Sequence, residues 1–118
     1  MFRSARQMKV LFVSHERRSR DTYSDVLHTA GYGVHAVPVE ALAITMKATS
    51  FDVLVMDATL SEQERKAGVY IAHQLVPKMH TLALDSIGTG CGADMVLESR
   101  AGASAILEAL AELLDHEP

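Results

Sequence analysis

Three groups of polar residues each follow directly after a short apolar run in this sequence. These groups are Ser14-His15-Glu16, Asp57 and Asp85-Ser86. Carboxylate oxygens are the ligands that hard cations such as Mg²⁺ prefer, and an imidazole beside carboxylates also suits Zn²⁺ or Mn²⁺. One chemistry that these residue types allow is therefore a metal-assisted hydrolysis that uses His15, Asp57 and Asp85.

The elements that must position these residues alternate between strands and helices. Apolar, β-rich runs predict five strands, at 9–13, 33–37, 51–56, 81–84 and 95–97. Helical patterns run from the polar stretch 14–20 to Gly31, and cover 39–47, 68–75 and 103–114. Buried strands that alternate with helices predict a parallel sheet with helices on both faces. Function in such sheets gathers at the carboxyl ends of the strands, so we expect the three polar groups to converge there.

Length and composition indicate one small globular domain. With 118 residues, 48% of them hydrophobic, we expect residues 1–8 to flank a single domain over 9–118. The net charge of −4 argues against a nucleic-acid partner. The basic start, with only a short apolar run after it, predicts neither a signal peptide nor a membrane anchor. The single cysteine, Cys91, cannot form an internal disulfide, which fits the cytoplasm.

Three segments follow one another in the chain: KVLFVSHERRSRDTYSDVLHTAGYGV, FDVLVMD and GADMVLES. Together they resemble the receiver domain of two-component response regulators. The first segment is similar to the family's first strand, first helix and following turn. FDVLVMD is similar to its third strand and terminal phosphoacceptor aspartate, and GADMVLES to the segment that leads into its fifth strand. The resemblance covers almost the whole chain from Lys9 onward. It implies a doubly wound, flavodoxin-like sheet of five parallel strands.

The resemblance assigns the phosphoacceptor position to Asp57 and a pocket around it. The family's acidic Mg²⁺-binding pair aligns with Ser14 and His15, neither of which is a natural ligand for a hard cation. Glu16 is the next residue, so Glu16 and Asp57 are the metal-ligand candidates that remain. Thr59 also matches a pocket position. Mg²⁺ is the cofactor that the family implies, and the altered pair argues against it.

The remaining pocket positions are altered as well. The family's serine or threonine after the fourth strand aligns with Asp85, or with Ser86 after a slip of one residue. Its lysine after the fifth strand aligns with Ser99, and Arg100 follows that position. Asp85 beside a phosphorylated aspartate would be repulsive. The resemblance therefore preserves the phosphoacceptor but little of the chemistry that normally surrounds it.

The connection between the fourth and fifth strands is short for this family. Only six residues, SIGTGC, separate Asp85 from Gly92, and two of them are glycine. A helix of normal length does not fit, so we expect the family's fourth helix to be shortened or missing. A polar loop is predicted over 58–67. The segment SEQERKAG, residues 61–68, is interpreted as a solvated surface, with partner docking as the alternative.

Three functions follow from these observations. The first is an atypical, stand-alone receiver domain in a phosphorelay, which accepts phosphate at Asp57 and acts through protein–protein interaction. Its partners would be a histidine kinase or another signalling protein, with a homodimer formed through the last helix, and not a nucleic acid or a membrane. The alternative is a pseudo-receiver that interacts independently of phosphorylation. The third, the hydrolase of His15, Asp57 and Asp85, is the least favoured, and we expect no enzyme.

Overall fold

The computed structural model describes residues 7–75, 79–85, 92–98 and 102–115. These residues form five strands and four α-helices. The strands are β1 Lys9–Val13, β2 Gly33–Val37, β3 Val53–Met56, β4 His80–Asp85 and β5 Met95–Glu98. The helices are α1 Arg17–Thr29, α2 Leu42–Ala48, α3 Glu62–Leu75 and α4 Gly102–Asp115, and a short 3₁₀ turn, Val39–Ala41, leads into α2.

The five strands form one parallel sheet in the order β2-β1-β3-β4-β5. Residues of β1 pair with β2 on one side and with β3 on the other, so that Val13 lies between Val37 and Met56. This is the flavodoxin-like order, with a change of direction between β1 and β3. The predicted fold class is therefore confirmed.

Two apolar cores lie on the two faces of the sheet. On one face α1 and α4 cover the strands, with Phe12, Leu27 and Leu110 fully buried. On the other face α2 and α3 cover side chains such as Leu54 and Met56, which are also fully buried. Because the central strands are covered on both faces, their sequences are continuous apolar runs rather than alternating ones.

Helix α3 begins six residues earlier than the predicted start at residue 68, within the segment that the sequence predicted to be a loop. The reason is a capping box. The Glu64 N–H donates to Ser61 Oγ at 3.1 Å, and the Ser61 N–H donates to Glu64 Oε1 at 2.8 Å. This reciprocal pair gives acceptors to two backbone N–H groups at the start of the helix, so a highly charged segment can form the first turn of α3.

Helix α3 also packs very closely on the sheet at Gly68. A Cβ atom added to this glycine would lie 3.0 Å from the sulfur of Met56 and 3.6 Å from Leu42 Cδ2. A side chain at this position would press against two buried neighbours. Gly68 therefore allows the close approach of α3 to β3 and α2.

The connection from β4 to β5 contains nine residues, 86–94. Its residues 92–94 contain no helix, and the remaining six, which include Ser86 and Cys91, lie outside the described residues. At its end, Asp94 and Thr81 are joined by reciprocal bonds. The Thr81 N–H donates to Asp94 Oδ2 at 2.8 Å, and the Asp94 N–H donates to Thr81 Oγ1 at 2.9 Å. These bonds continue the β4–β5 pairing one step before β5 begins.

Across the described ranges of the chain, no helix is both long and apolar enough to cross a membrane.

Candidate functional site

The parallel pairing of β1 and β3 brings Asp57 and Ser14 together at the carboxyl edge of the sheet. The Asp57 N–H donates to Val13 O at 3.0 Å, which extends the ladder one residue beyond β3. The Ser14 N–H donates to Val37 O at 3.2 Å, which extends the pairing of β1 with β2 one residue beyond β1. Both side chains are buried, with Ser14 0% and Asp57 6% exposed. The predicted convergence of these two residues is therefore observed.

Two hydroxyl groups donate to the same carboxylate oxygen of Asp57. Ser14 Oγ lies 2.6 Å from Asp57 Oδ2, and Thr59 Oγ1 lies 3.2 Å from it. The two hydroxyl oxygens are 3.1 Å apart. Within the described chain, every side-chain donor to Asp57 ends on Oδ2. Ser14, Asp57 and Thr59 thus form one compact cluster, which we call the Asp57 network.

His15 contributes its backbone, not its ring, to this network. Its N–H donates to Thr59 Oγ1 at 3.0 Å. The imidazole Nε2 lies 2.9 Å and 3.1 Å from the two carboxylate oxygens of Glu64 on α3. A ring engaged with Glu64 is not placed on Asp57, so the arrangement expected for the metal-assisted hydrolase is not the one observed.

Glu64 receives donors from two directions, and its charge is stabilised by them. The Ser61 backbone N–H and, after it, the His15 side chain hold the pKa of the Glu64 carboxyl below its ordinary value. Both the His15 and Glu64 side chains are partly exposed, at 42% and 33%. The pair therefore joins the β1–α1 loop to the start of α3 at the rim of the site.

The Glu16 side chain is engaged at the start of α1. Ser19 Oγ donates to Glu16 Oε1 at 3.1 Å, within the exposed first turn of α1. The Arg20 guanidinium reaches back to Ser14 O at 2.8 Å and fixes the same turn. The candidate metal ligands Glu16 and Asp57 are therefore not brought into one coordination sphere.

The donor set around Asp57 does not fit Mg²⁺. This cation prefers several oxygen ligands in octahedral geometry, usually with one or two carboxylates and bound water. No group of three histidine, cysteine, aspartate or glutamate side chains that could hold a metal ion occurs among the described residues. The place of the acidic pair is taken by Ser14, whose hydrogen points at Asp57, and by His15, whose ring binds Glu64.

Tyr23 is a neighbour of Asp57 that the sequence analysis missed. Its half-buried ring packs on Phe12 with a centroid distance of 4.9 Å and an interplanar angle of 35°. Burial, and after it the negative charge of Asp57, raise the pKa of the Tyr23 phenol. The position resembles any other on the buried face of α1 in the sequence, so no local signal identified it.

The turn that carries Asp57 is braced by Arg65, a residue placed in a loop by the sequence. The Leu60 N–H donates to Asp57 O at 3.2 Å, and the Arg65 N–H donates to Ser61 O at 3.0 Å. Arg65 Nη1 also donates to Leu60 O, and its side chain is only 7% exposed. The segment from Asp57 to the start of α3 is thus held by backbone and side chain together.

The other predicted pocket positions lie at the end of β4 or follow β4 and β5 in the chain. β4 ends at Asp85, whose backbone pairs with Glu98, so Asp85 lies at the same edge of the sheet as Asp57. The side chain of Asp85, and Ser86, Ser99 and Arg100 entirely, fall outside the described residues. Their roles remain predictions.

Comparison with solved structures shows what this fold resembles. The chemotaxis protein CheY4 of Vibrio cholerae superposes with a TM-score of 0.77 at 21% identity, over 92% of this chain and 99% of that chain. A CheY-like receiver domain protein from Methanospirillum hungatei gives 0.77 at 20% identity, over 93% and 95%. The signal receiver domain of an HD domain-containing protein from Pseudomonas fluorescens gives 0.77 at 15% identity, over 98% and 93%. No family model and no curated protein sequence matches this chain.

The fold of this chain is therefore that of response-regulator receiver domains. The sheet order and the length covered on both sides agree with these structures. The resemblance seen in the sequence is confirmed at the level of the fold. Function still has to be argued from the site, because one fold can carry different functions.

Proposed function

We propose that this chain is a signalling domain of the receiver type, which acts through protein–protein interaction in two-component signal transduction. The observation that carries the proposal is the position of Asp57. It lies buried at the carboxyl end of β3, beside the point where the strand order changes direction, in a chain with the receiver fold. The proposed partner is a histidine kinase or another signalling protein.

The geometry best supports an interaction that does not depend on phosphorylation. The Ser14 hydroxyl donates to Asp57 at 2.6 Å, and the residues present do not fit the cation that would neutralise a phosphoryl group. In this form of the proposal, Asp57 is a structural acceptor that shapes the carboxyl edge of the sheet. A partner then recognises a surface that is already formed.

A second candidate is phosphoacceptance at Asp57, and one observation favours it. The hydrogen bonds donated by the described residues all end on Oδ2, so this part of the chain places no donor on Oδ1. In that reaction Oδ1 would form a P–O bond with the phosphoryl group of a phosphohistidine while its P–N bond breaks and the histidine leaves. The product would be an acyl phosphate on Asp57.

Phosphorylation is tested by incubating the ¹⁵N-labelled protein with acetyl phosphate, with and without Mg²⁺. Intact mass and amide spectra are recorded for wild type and for Asp57→Asn. The favoured form predicts no phosphoryl adduct and an unchanged spectrum. An adduct on wild type that is absent from Asp57→Asn would instead establish the phosphoacceptor.

Partner binding is tested with purified histidine kinases from the organism that encodes this chain. The phosphorylation-independent form predicts that one kinase binds wild type with the same affinity before and after treatment with acetyl phosphate, and binds Asp57→Asn equally well. If no kinase or other purified two-component protein binds, and no adduct forms, the receiver function is overturned. A homodimer through α4 stays a prediction, and sedimentation equilibrium of the same samples decides it.

A further inference from the structure

The hydrogen bonds around Asp57 Oδ2 form a closed set. The Ser14 hydroxyl accepts the Glu16 N–H at 3.0 Å, and the Thr59 hydroxyl accepts the His15 N–H at 3.0 Å. A hydroxyl group has one hydrogen to donate. The Ser14 hydrogen is directed to Oδ2 at 2.6 Å. The Thr59 hydrogen has Oδ2 as an acceptor at 3.2 Å and Ser14 Oγ as an alternative acceptor at 3.1 Å.

A divalent cation would need the opposite arrangement at this oxygen. Magnesium binds lone pairs of oxygen at about 2.0–2.1 Å and usually keeps several waters. To admit it at Oδ2, Ser14 and Thr59 would have to turn their hydrogens away. Ser14 is fully buried and Asp57 only 6% exposed, so a hydrated cation on this side would have to open the packing around both residues.

Among the described side chains, the two carboxylates on the elements next to Asp57, those of Glu16 and Glu64, are engaged with other groups. The side chain of Asp85, at the same edge of the sheet, lies outside the described residues. The Glu16 carboxylate accepts a hydrogen bond from Ser19 in the first turn of α1. The Glu64 carboxylate binds the ring of His15 and the Ser61 N–H. Moving either one to Asp57 would break these bonds and add a second negative charge beside a buried carboxylate, which is unfavourable.

We propose that the hydroxyl of Ser14 takes the place of a divalent cation at Asp57, and that residue 14 decides that this site is independent of metal. The Ser14 hydroxyl hydrogen supplies the positive end that the carboxylate needs. It does so without adding a net charge and without recruiting water. The inference concerns metal binding alone, and it does not depend on whether Asp57 receives a phosphoryl group or on which partner binds.

The test compares Mn²⁺ binding by three proteins, because Mn²⁺ prefers the same oxygen ligands and broadens nearby amide signals. Wild type and Ser14→Ala are expected to show no selective broadening at Asp57 and Thr59 at millimolar Mn²⁺. Ser14→Asp places a second carboxylate at the site. It is expected to show this broadening, to bind roughly tenfold or more tightly than wild type, and to gain Tm with added metal.

Ser50→Asp is the matched control. It makes the same substitution at an exposed serine between α2 and β3, at the other end of β3 from Asp57, and leaves the Ser14–Asp57 bond intact. It should bind Mn²⁺ no better than wild type. Selective broadening of Asp57 in wild type would overturn the proposal, as would a folded Ser14→Asp that gains nothing over Ser14→Ala.

A second measurement tests the proposal without Ser14→Asp, in case that variant does not fold. A hydroxyl proton held on a buried carboxylate should exchange slowly enough to give an NMR signal, assigned by its loss in Ser14→Ala. We expect this signal to persist unchanged in millimolar Mg²⁺. Its disappearance on addition of Mg²⁺ would contradict the proposal. Kinase binding and phosphorylation are measured in separate experiments. If neither is observed, the conclusion about metal binding at Asp57 does not change.

Discussion

Ser14 Oγ and Asp57 Oδ2 lie 2.6 Å apart, although 43 residues separate them in the chain. The bond joins the ends of two neighbouring parallel strands, and both side chains are almost completely buried. A short hydrogen bond from a hydroxyl to a buried carboxylate is among the stronger ones in proteins. It should therefore contribute measurably to stability as well as shape the site.

Ser14→Ala is expected to lower the free energy of unfolding by about 1.5–3 kcal/mol, the range for hydrogen bonds to charged groups. The variant leaves Asp57 Oδ2 with one hydroxyl donor and the Glu16 N–H without its acceptor. Urea unfolding measures the change. Ser19→Ala is the control, because it removes an exposed hydroxyl and should alter stability by less than about 0.5 kcal/mol. Equal effects of the two substitutions would contradict the structural role assigned to Ser14.

The Glu64 carboxyl should make part of the stability depend on pH. Its pKa in the folded chain lies below its ordinary value, so the unfolded chain binds protons more readily. The carboxyl then contributes fully to the free energy of unfolding at pH values above the ordinary pKa of a glutamate. This contribution is lost as the pH falls through the pKa of the folded state. Glu64→Gln keeps the capping box but not the charge. It should remove this component from the pH profile of the unfolding free energy.

Glu62→Gln serves as the control for Glu64→Gln. Glu62 is exposed and pairs with Lys66 at 3.0 Å on the same helix. Neutralising it removes a surface ion pair of small value and leaves the bonds of His15 and Ser61 to Glu64 in place. If both variants flatten the acid side of the profile equally, the dependence does not come from the Glu64 carboxyl.

Tyr23 should report on the charge of Asp57. Burial and the negative charge of Asp57 both raise the pKa of its phenol. Asp57→Asn removes the charge but not the burial, so the Tyr23 pKa should fall part of the way to its ordinary value. A ¹³C NMR titration of the Tyr23 ring carbons in wild type and Asp57→Asn measures the change in its pKa. An unchanged Tyr23 pKa would show that the charge of Asp57 does not reach the ring.

Because the pKa of Tyr23 is raised, the free energy of unfolding should decrease at high pH. A folded-state pKa above the unfolded value means that the folded chain holds the phenol proton more tightly. The associated stability is present below the ordinary range of a tyrosine and is lost as the pH rises through the folded pKa. Tyr23→Phe should remove this trend, which unfolding measured over the alkaline range would show.

Asp94→Ala is expected to loosen the β4–β5 pairing. It leaves the Thr81 N–H without its acceptor in a residue that is fully buried, which costs about 1–3 kcal/mol. Hydrogen exchange should accelerate in β5 and at Thr81 more than in β1. Asp21→Ala, which removes an exposed carboxylate 4.0 Å from Arg17, is the control and should change neither. Uniform acceleration in all strands would mean that the bonds have no local role.

The sheet could be predicted from the sequence because buried parallel strands are continuous apolar runs. β1 and β2 have the predicted bounds, and α4 extends one residue beyond the predicted 103–114 at each end. The start of α3 was wrong because the charged segment after Ser61 was read as a loop. The capping signal, serine followed three residues later by glutamate, was present in the sequence at Ser61 and Glu64.

The site was predicted less completely than the fold. Strand ends placed Ser14 and Asp57 together, since this depends only on the parallel pairing. The direction of a hydroxyl hydrogen, the engagement of His15 with Glu64 and the position of Tyr23 depend on side-chain geometry across different elements. No periodicity encodes such geometry. Because Glu64 was predicted to lie in a loop, its contact with His15 was not predicted either.

The packing of α3 holds this helix close to the segment that carries Asp57. Gly68 seats the helix against Met56, the residue directly before Asp57. Only four residues, 58–61, join Asp57 to the start of the helix, and Arg65 ties this segment to the helix by a bond to Leu60. Because this connection is short and held by hydrogen bonds, we expect a displacement of α3 to be passed on to Asp57. A partner bound to the outer surface of α3 would then affect the carboxylate without contacting it.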